Sequence, residues 1–343
     1  MSIAVVVNTR ARRGGQAAAA LSRAALPSAR ILTSRSLEDT AGFVRELSRE
    51  RPRVVISAGG DGTAIGLLNA SREAARAGVS VPWLAEGGAP ETPLGLLPLG
   101  TGNAWARVMG APRLRRAVQA LGSIPLGALP VKLFELLEID GTLAHFAGTG
   151  WDAEMIDDFH EQKQAVSFIP RRMRQGLAGY LYGMFTRTIP RHFGGPRTEV
   201  ELVNTGSDAY FVDDAGMVRP LPGGEHGQVL YRGPTSVCAA GTTPEWGFGF
   251  RAFPHAGRMP GRFCMRVYSG SAIEATLRMR ELWRGAIGTP KMHSWLVDRC
   301  QATFSHPVPF QIGGDRTEHK TTVEYALASE RVNLLDWRAL GSA

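Results

Sequence analysis

Val54-Val55-Ile56-Ser57-Ala58-Gly59-Gly60-Asp61-Gly62-Thr63 is the stretch on which the fold turns. A β-branched, apolar run breaks on two glycines, passes an aspartate and opens into Ala64–Ala77, which reads as a helix. A strand ending in a glycine turn that starts a helix is the repeating unit of a parallel α/β sheet. The neighbouring sequence repeats it. Upstream, Ile3–Val7 reads as a strand, Arg10 to Gly15 as a loop, and the alanine-rich stretch to about Ala25 as a helix. Ala29–Leu32 is a short strand. Ser36 caps the next helix, with Asp39 three residues on as a weak capping box and Leu37, Ala41, Val44 and Leu47 at helical spacing. Downstream, Leu94–Leu97 is a strand, Gly100–Gly102 a second glycine turn, and helices start at Asn103 and near Leu114–Leu121. Residues 1–128 therefore form an α/β domain with a doubly wound parallel sheet.

From about Pro130 the period changes. Val131–Ile139 alternates as a strand, Asp140-Gly141 is a hairpin turn, and Thr142–Ala147 returns. Arg197–Val203, Ser236–Ala240, Arg262–Tyr268, Gln301–Phe304 and Pro309–Ile312 are further strands separated by glycine and proline clusters. Residues 129–320 thus read as an antiparallel sheet domain. In between, Met173, Leu177, Tyr180, Leu181 and Met184 form a helical stripe. From Gln162 to Thr198 there are seven Lys/Arg and no Asp or Glu. Such a segment fits a membrane surface, and equally a core helix with solvated ends.

Composition excludes several classes. No run reaches the roughly 20 apolar residues of a membrane span, and the N-terminus reads as a buried strand rather than a signal peptide. The expected location is the cytoplasm. Cys238, Cys264 and Cys300 are odd in number and far apart, which argues against a disulfide framework or a zinc site. The net charge of +8 lies entirely in residues 1–128, with 16 Arg against 8 Asp/Glu; the rest holds 23 of each sign. A basic first half suits a polyanionic ligand or an anionic membrane surface. With neither a nucleic-acid motif nor an interleaved aromatic platform, nucleic acid is not expected as a partner. The four lysines begin at Lys132, which excludes a P-loop in the first domain. Phosphate there must be held by backbone N–H groups, arginines or a metal.

The two glycine turns carry the chemistry. In an open α/β sheet, ligands bind beyond the carboxyl ends of the strands. Glycines admit a phosphate close to the backbone, and the following helix offers free N–H groups and positive potential. Asp61 puts a carboxylate beside that phosphate, where it could hold Mg²⁺ or take a proton from an attacking hydroxyl. Pro98-Leu99-Gly100-Thr101-Gly102-Asn103 supplies the second turn. One Gly-Gly-Asp-Gly alone can be a tight turn and no more; two such turns at successive strand ends form a cradle.

The order Val5-Val6-Val7-Asn8, Gly59–Thr63 and Pro98–Asn103 resembles the diacylglycerol kinase catalytic superfamily, which includes bacterial diacylglycerol kinases and sphingosine and ceramide kinases. Gly148-Thr149-Gly150-Trp151-Asp152-Ala153 and Phe253-Pro254-His255-Ala256-Gly257-Arg258-Met259 resemble two later motifs of that group. The resemblance implies a diacylglycerol kinase-like nucleotide domain, a C-terminal antiparallel β-sandwich, catalysis in the cleft between them, and a segment at 321–343 returning to the first domain. It implies ATP and Mg²⁺ as cofactors and a lipid substrate met by peripheral attachment at the inner face of a membrane. Carried over, Gly59, Gly60, Asp61, Gly62 and Thr63 would hold phosphates. Asn8, Thr33, Gly100, Thr101, Gly102 and Asn103 would complete the nucleotide site. Asp61 would be base or metal ligand, and Arg10, Arg12 and Arg13 stand where members often place a basic residue. Asp152 and Glu154 would contact substrate, Glu154 where sphingosine kinases place an acid for the sphingoid head group.

The sequence also departs from the pattern. Ile65-Gly66 replaces Asn-Glu, Ala104 replaces an aspartate, Pro260-Gly261 replaces Asp-Gly, and Gly313-Gly314-Asp315 replaces Asp-Gly-Glu. That removes the expected metal network and base of bacterial members and leaves Asp61, with Asp315 a poor second. Three functions follow: a lipid kinase, a nucleotide- or lipid-binding relative without turnover, and a kinase for a soluble alcohol.

Overall fold

A computed structural model describes residues 3–11, 13–23, 29–100, 103–114, 116, 119, 128–151, 153–154, 182–183, 186, 198–285 and 289–341. The stripe at 173–184 falls outside them but for residues 182–183, and the helix near 114–121 is described only in part. The chain divides into two compact units, residues 1–136 with 328–343, and residues 137–327.

In the first unit, β1 (Ile3–Asn8), β2 (Ala29–Ser34), β3 (Val54–Gly59) and β5 (Leu94–Pro98) lie in the order β2-β1-β3-β5, all parallel. Every residue of β3 is buried, so the sheet is covered on both faces, which is why its strands read as unbroken apolar runs rather than alternating ones. The sheet's next strand comes from far along the chain: Leu334 of β19 (Lys320–Leu335) pairs in parallel with Leu94, while Arg331 meets Ala85 of the short β4 (Ala85–Glu86).

Helices α1 (Gly14–Arg23), α2 (Leu37–Glu50) and α3 (Asp61–Arg76) connect these strands, and the short α4 (Ala104–Val108) follows β5. Ser36 caps α2 by accepting from the Asp39 N–H at 3.1 Å. Val44 and Leu47 are buried as their spacing predicts, but Leu37 is 72% exposed. As the first residue of its helix it points away from the core and lies over Gly66 of α3, where an added Cβ would be 3.6 Å from Leu37 Cδ2.

The second unit packs two antiparallel sheets face to face. One holds β12 (Val229–Thr235), β9 (Thr198–Asn204), β16 (Arg299–Val308) and the first half of β19. The other runs β11 (Val218–Pro220), β10 (Tyr210–Val212), β15 (Met292–Val297), β14 (Phe263–Tyr268), β13 (Val237–Gly241), β8 (Phe146–Gly150), β17 (Phe310–Ile312) and β18 (Asp315–Arg316). Their shared core interleaves Leu202, Cys300, Phe304 and Tyr325 from the first with Cys238, Phe263, Met265, Trp295 and Phe310 from the second. This is a β-sandwich. The return predicted for 142–147 splits into β7 (Thr142–Ala144), which pairs with β6 (Val131–Ile139), and β8, with the buried His145 between them.

Candidate active site

Parallel register aligns the strand ends of the first unit. Asn8 pairs with Ser34, Val7 with Ala58, and Gly59 with Pro98, so three successive turns leave the sheet at its carboxyl edge. The turn after β1 is organised by Asn8. Its backbone oxygen accepts from the Ala11 N–H at 3.2 Å, its Oδ1 from the Arg10 N–H at 2.9 Å, and its Nδ2 donates to Thr63 Oγ1 at 3.0 Å. A Cβ on Gly14 would lie 2.0 Å from the Asn8 oxygen, so the first turn of α1 presses against the same strand end. Arg10 and Arg13 are exposed on this loop; Arg12 lies outside the described residues.

The turn after β3 places Gly60 as the cap of α3, without a side-chain hydrogen bond to the helix. The first N–H groups of a 16-residue helix, which have no intrahelical acceptor, therefore lack the usual side-chain cap. Thr63 folds back over Gly59, where any Cβ would stand 2.2 Å from its Oγ1. Thr33, predicted as a nucleotide contact, is exposed near the end of β2, paired in register with Val7.

The turn after β5 is built against the one after β3. The Leu99 and Gly100 N–H groups both donate to the Gly59 oxygen, at 2.8 and 3.1 Å. A Cβ on Gly100 would stand 2.5 Å from Gly60 Cα, so the two glycine turns touch backbone to backbone. Asn103 closes the second turn: its Oδ1 accepts from the Gly100 N–H at 3.0 Å and its Nδ2 donates to the Gly100 oxygen at 2.8 Å. It does so in a left-handed conformation, φ +51°, which asparagine tolerates better than most residues. Thr101 and Gly102 lie outside the described residues.

Asp61 joins the two turns. Its Oδ2 accepts from the Ala104 N–H at 2.7 Å and its Oδ1 from the Trp105 N–H at 3.1 Å. The carboxylate thus satisfies two of the orphan N–H groups of α4 from another helix. Sequence reasoning missed this, since nothing local in Gly-Gly-Asp-Gly signals a contact 43 residues away. Among the described residues no group of three His, Cys, Asp or Glu could hold a metal. Mg²⁺ commonly takes one or two carboxylates together with substrate phosphates, and Asp61, standing at a turn open to phosphate, fits that partial role.

The departures have local reasons. Ala104 is fully buried, where a carboxylate would need its own partners. Gly313 and Gly314 turn from β17 to β18 with φ of +62° and +92°, a hairpin geometry that favours glycine at both positions, and Asp315 follows on an exposed strand. Pro260 is exposed in a turn. In the second unit, Glu154 is half-buried just after β8, near the Trp151–Tyr268 ring contact; Asp152 lies outside the described residues.

Residues 2–132 match the diacylglycerol kinase catalytic domain family. No curated protein matches the sequence. Among solved structures, a diacylglycerol kinase from Bacillus anthracis str. Sterne superposes with a TM-score of 0.59 at 15% identity, covering 99% of this chain and 98% of that one. Two further structures from that organism, with the same coverage, reach 0.64 at 15% and 0.61 at 16% identity. At these identities the structures speak for the fold, while the family match covers the turns just described. Residues 2–132 thus carry the match to the diacylglycerol kinase catalytic domain family, and the fold of the whole chain is that of the diacylglycerol kinase structures.

Proposed function

We propose that this kinase transfers the γ-phosphoryl group of ATP to a hydroxyl of a lipid, diacylglycerol or a sphingoid-type amino alcohol. The observation that carries the reading is the apposition of the Gly60 and Gly100 turns at the carboxyl edge of the sheet, bridged by Asp61. ATP phosphates would lie along Gly59–Thr63, against the amino end of α3, with Asn8, Thr33 and the 100–103 turn completing the nucleotide site. Mg²⁺, when bound beside Asp61, would neutralise charge on the β- and γ-phosphates. Asp61 has two roles in this proposal: it orients the second turn through α4, and its carboxylate would serve the metal or the attacking hydroxyl. Positioning supplies most of the rate in such a site. Glu154 would select an amino alcohol by charge pairing.

The test is transfer of labelled γ-phosphate from Mg·ATP in mixed micelles, with diacylglycerol, sphingosine and ceramide offered separately. Wild type should label one of them, and Asp61→Asn should lower the rate by about 10²-fold or more. ATP binding without any labelled lipid would favour the non-catalytic relative. Labelling of a water-soluble alcohol without micelles would favour the soluble-substrate kinase.

A further inference from the structure

We propose that the helical segment 272–284 of the β-sandwich unit docks on an anionic lipid bilayer. Two short helices compose it, α5 (Ala272–Leu277) and α6 (Met279–Trp283). Arg278 stands at their junction: its N–H donates to the Glu274 oxygen and its own oxygen accepts from the Leu282 N–H, both at 3.0 Å. Ile273 and Leu277 lie four residues apart on α5, and Arg280 of α6 and Arg284 at its end are likewise four apart. All four are exposed, Leu277 at 81% and Ile273 at 50%.

The segment is anchored. Ala275 is buried, the Trp283 ring meets Phe250 edge-on at 5.4 Å, and the Arg251 N–H donates to the Trp283 oxygen at 3.0 Å. Ser271 caps α5 through the Glu274 N–H at 3.2 Å. The exposed leucine and isoleucine thus stand on a held element. In water they gain nothing by that exposure.

Charge identifies the occupant. Both acidic residues of the segment are already neutralised, Glu274 by Lys291 at 2.6 Å and Glu281 by Arg278 at 2.7 Å. Arg251, Arg280 and Arg284 form no ion pair among the described residues. An apolar ridge flanked by unpaired arginines matches the boundary between acyl chains and acidic headgroups, with the apolar side chains below it and the guanidinium groups at the phosphates. No helix of the described residues is long and apolar enough to cross a membrane. The proposed lipid acceptor gives this surface its use, and the test below contains neither ATP nor acceptor, so the two readings fail separately.

The experiment is co-sedimentation of the full chain with vesicles of phosphatidylcholine alone or mixed with phosphatidylglycerol. Wild type should pellet with the acidic vesicles and hardly with the neutral ones. Ile273→Ser/Leu277→Ser and Arg280→Gln/Arg284→Gln should each weaken binding with Tm unchanged, the arginine pair by roughly 25-fold at about fivefold per arginine. Met217→Ser, at an exposed apolar residue elsewhere on the unit, should bind as wild type. Failure of wild type to pellet, or equal pelleting by both double variants, would overturn the assignment. So would a wild-type dimer in buffer that Ile273→Ser/Leu277→Ser makes monomeric, which would give the face to a second copy.

Discussion

A methyl group is the smallest probe of the two glycine turns. At Gly100 it would meet Gly60 Cα at 2.5 Å and Gly60 N at 3.0 Å, backbone atoms that cannot rotate away. At Gly60 the nearest atom is Gly100 Cα at 3.2 Å, a clash relieved by a few tenths of an ångström. Gly100→Ala should therefore cost about 1–3 kcal/mol in urea unfolding and weaken ATP binding by calorimetry at least tenfold, with Gly60→Ala milder on both. Gly42, inside α2 with nothing within 4 Å of an added Cβ, is the control. Gly42→Ala should stabilise by about 0.5–1 kcal/mol. The glycines were legible in the sequence as phosphate-binding candidates. That the two turns touch, and that Asp61 crosses to Ala104 and Trp105, was not, because both depend on Gly59 facing Pro98 across two strands.

At the scale of elements, α3 is held to β19 by a buried ion pair. Arg72 reaches Glu330 through Nε and Nη2, at 2.5 and 2.7 Å, with both side chains nearly inaccessible. Burial works to raise the Glu330 carboxyl, but the hydrogen bonds of Arg72 outweigh it and hold the group below its ordinary range. Glu330→Ala leaves a buried guanidinium without its counter-charge and should cost about 3–5 kcal/mol; Arg72→Met/Glu330→Leu should recover most of that in the same urea titration. Neither partner announces the other, being 258 residues apart. The strands show the same limit. β1, β3 and β5 were legible as apolar runs because helices cover both faces. β12 is hidden by Gly233 and Pro234, breakers that an edge strand tolerates. β19 is hidden by its charges, since Glu324, Glu330 and Arg331 punctuate a strand whose pairing comes from distant partners.

For the whole molecule, acid is the sensitive direction. His145 is fully buried, and burial pushes its pKa down to about 3; His255 is lowered to about 4, by burial first and then by Arg266 and Arg258. In the unfolded chain both titrate near 6.5. Between these values the unfolded state binds more protons, so stability rises with pH and is lost as pH falls below about 6.5. Tm measured from pH 7.5 to 5 should decline, and His145→Gln should flatten the profile by up to about 1.4 kcal/mol per pH unit. The path of β19 has a consequence of another kind, for synthesis. Residues 3–98 contain β2, β1, β3 and β5 of the sheet that carries the Asp61 turn, yet β5 gains its β19 neighbour only when residues 328–335 are made. At 5–20 residues per second the ribosome leaves that edge uncovered for about 12–46 s. A nascent chain must therefore guard an open strand edge while the whole sandwich is being translated. Stalled chains ending before residue 328 should be more readily bound by chaperones and cut by protease than chains carried past residue 335.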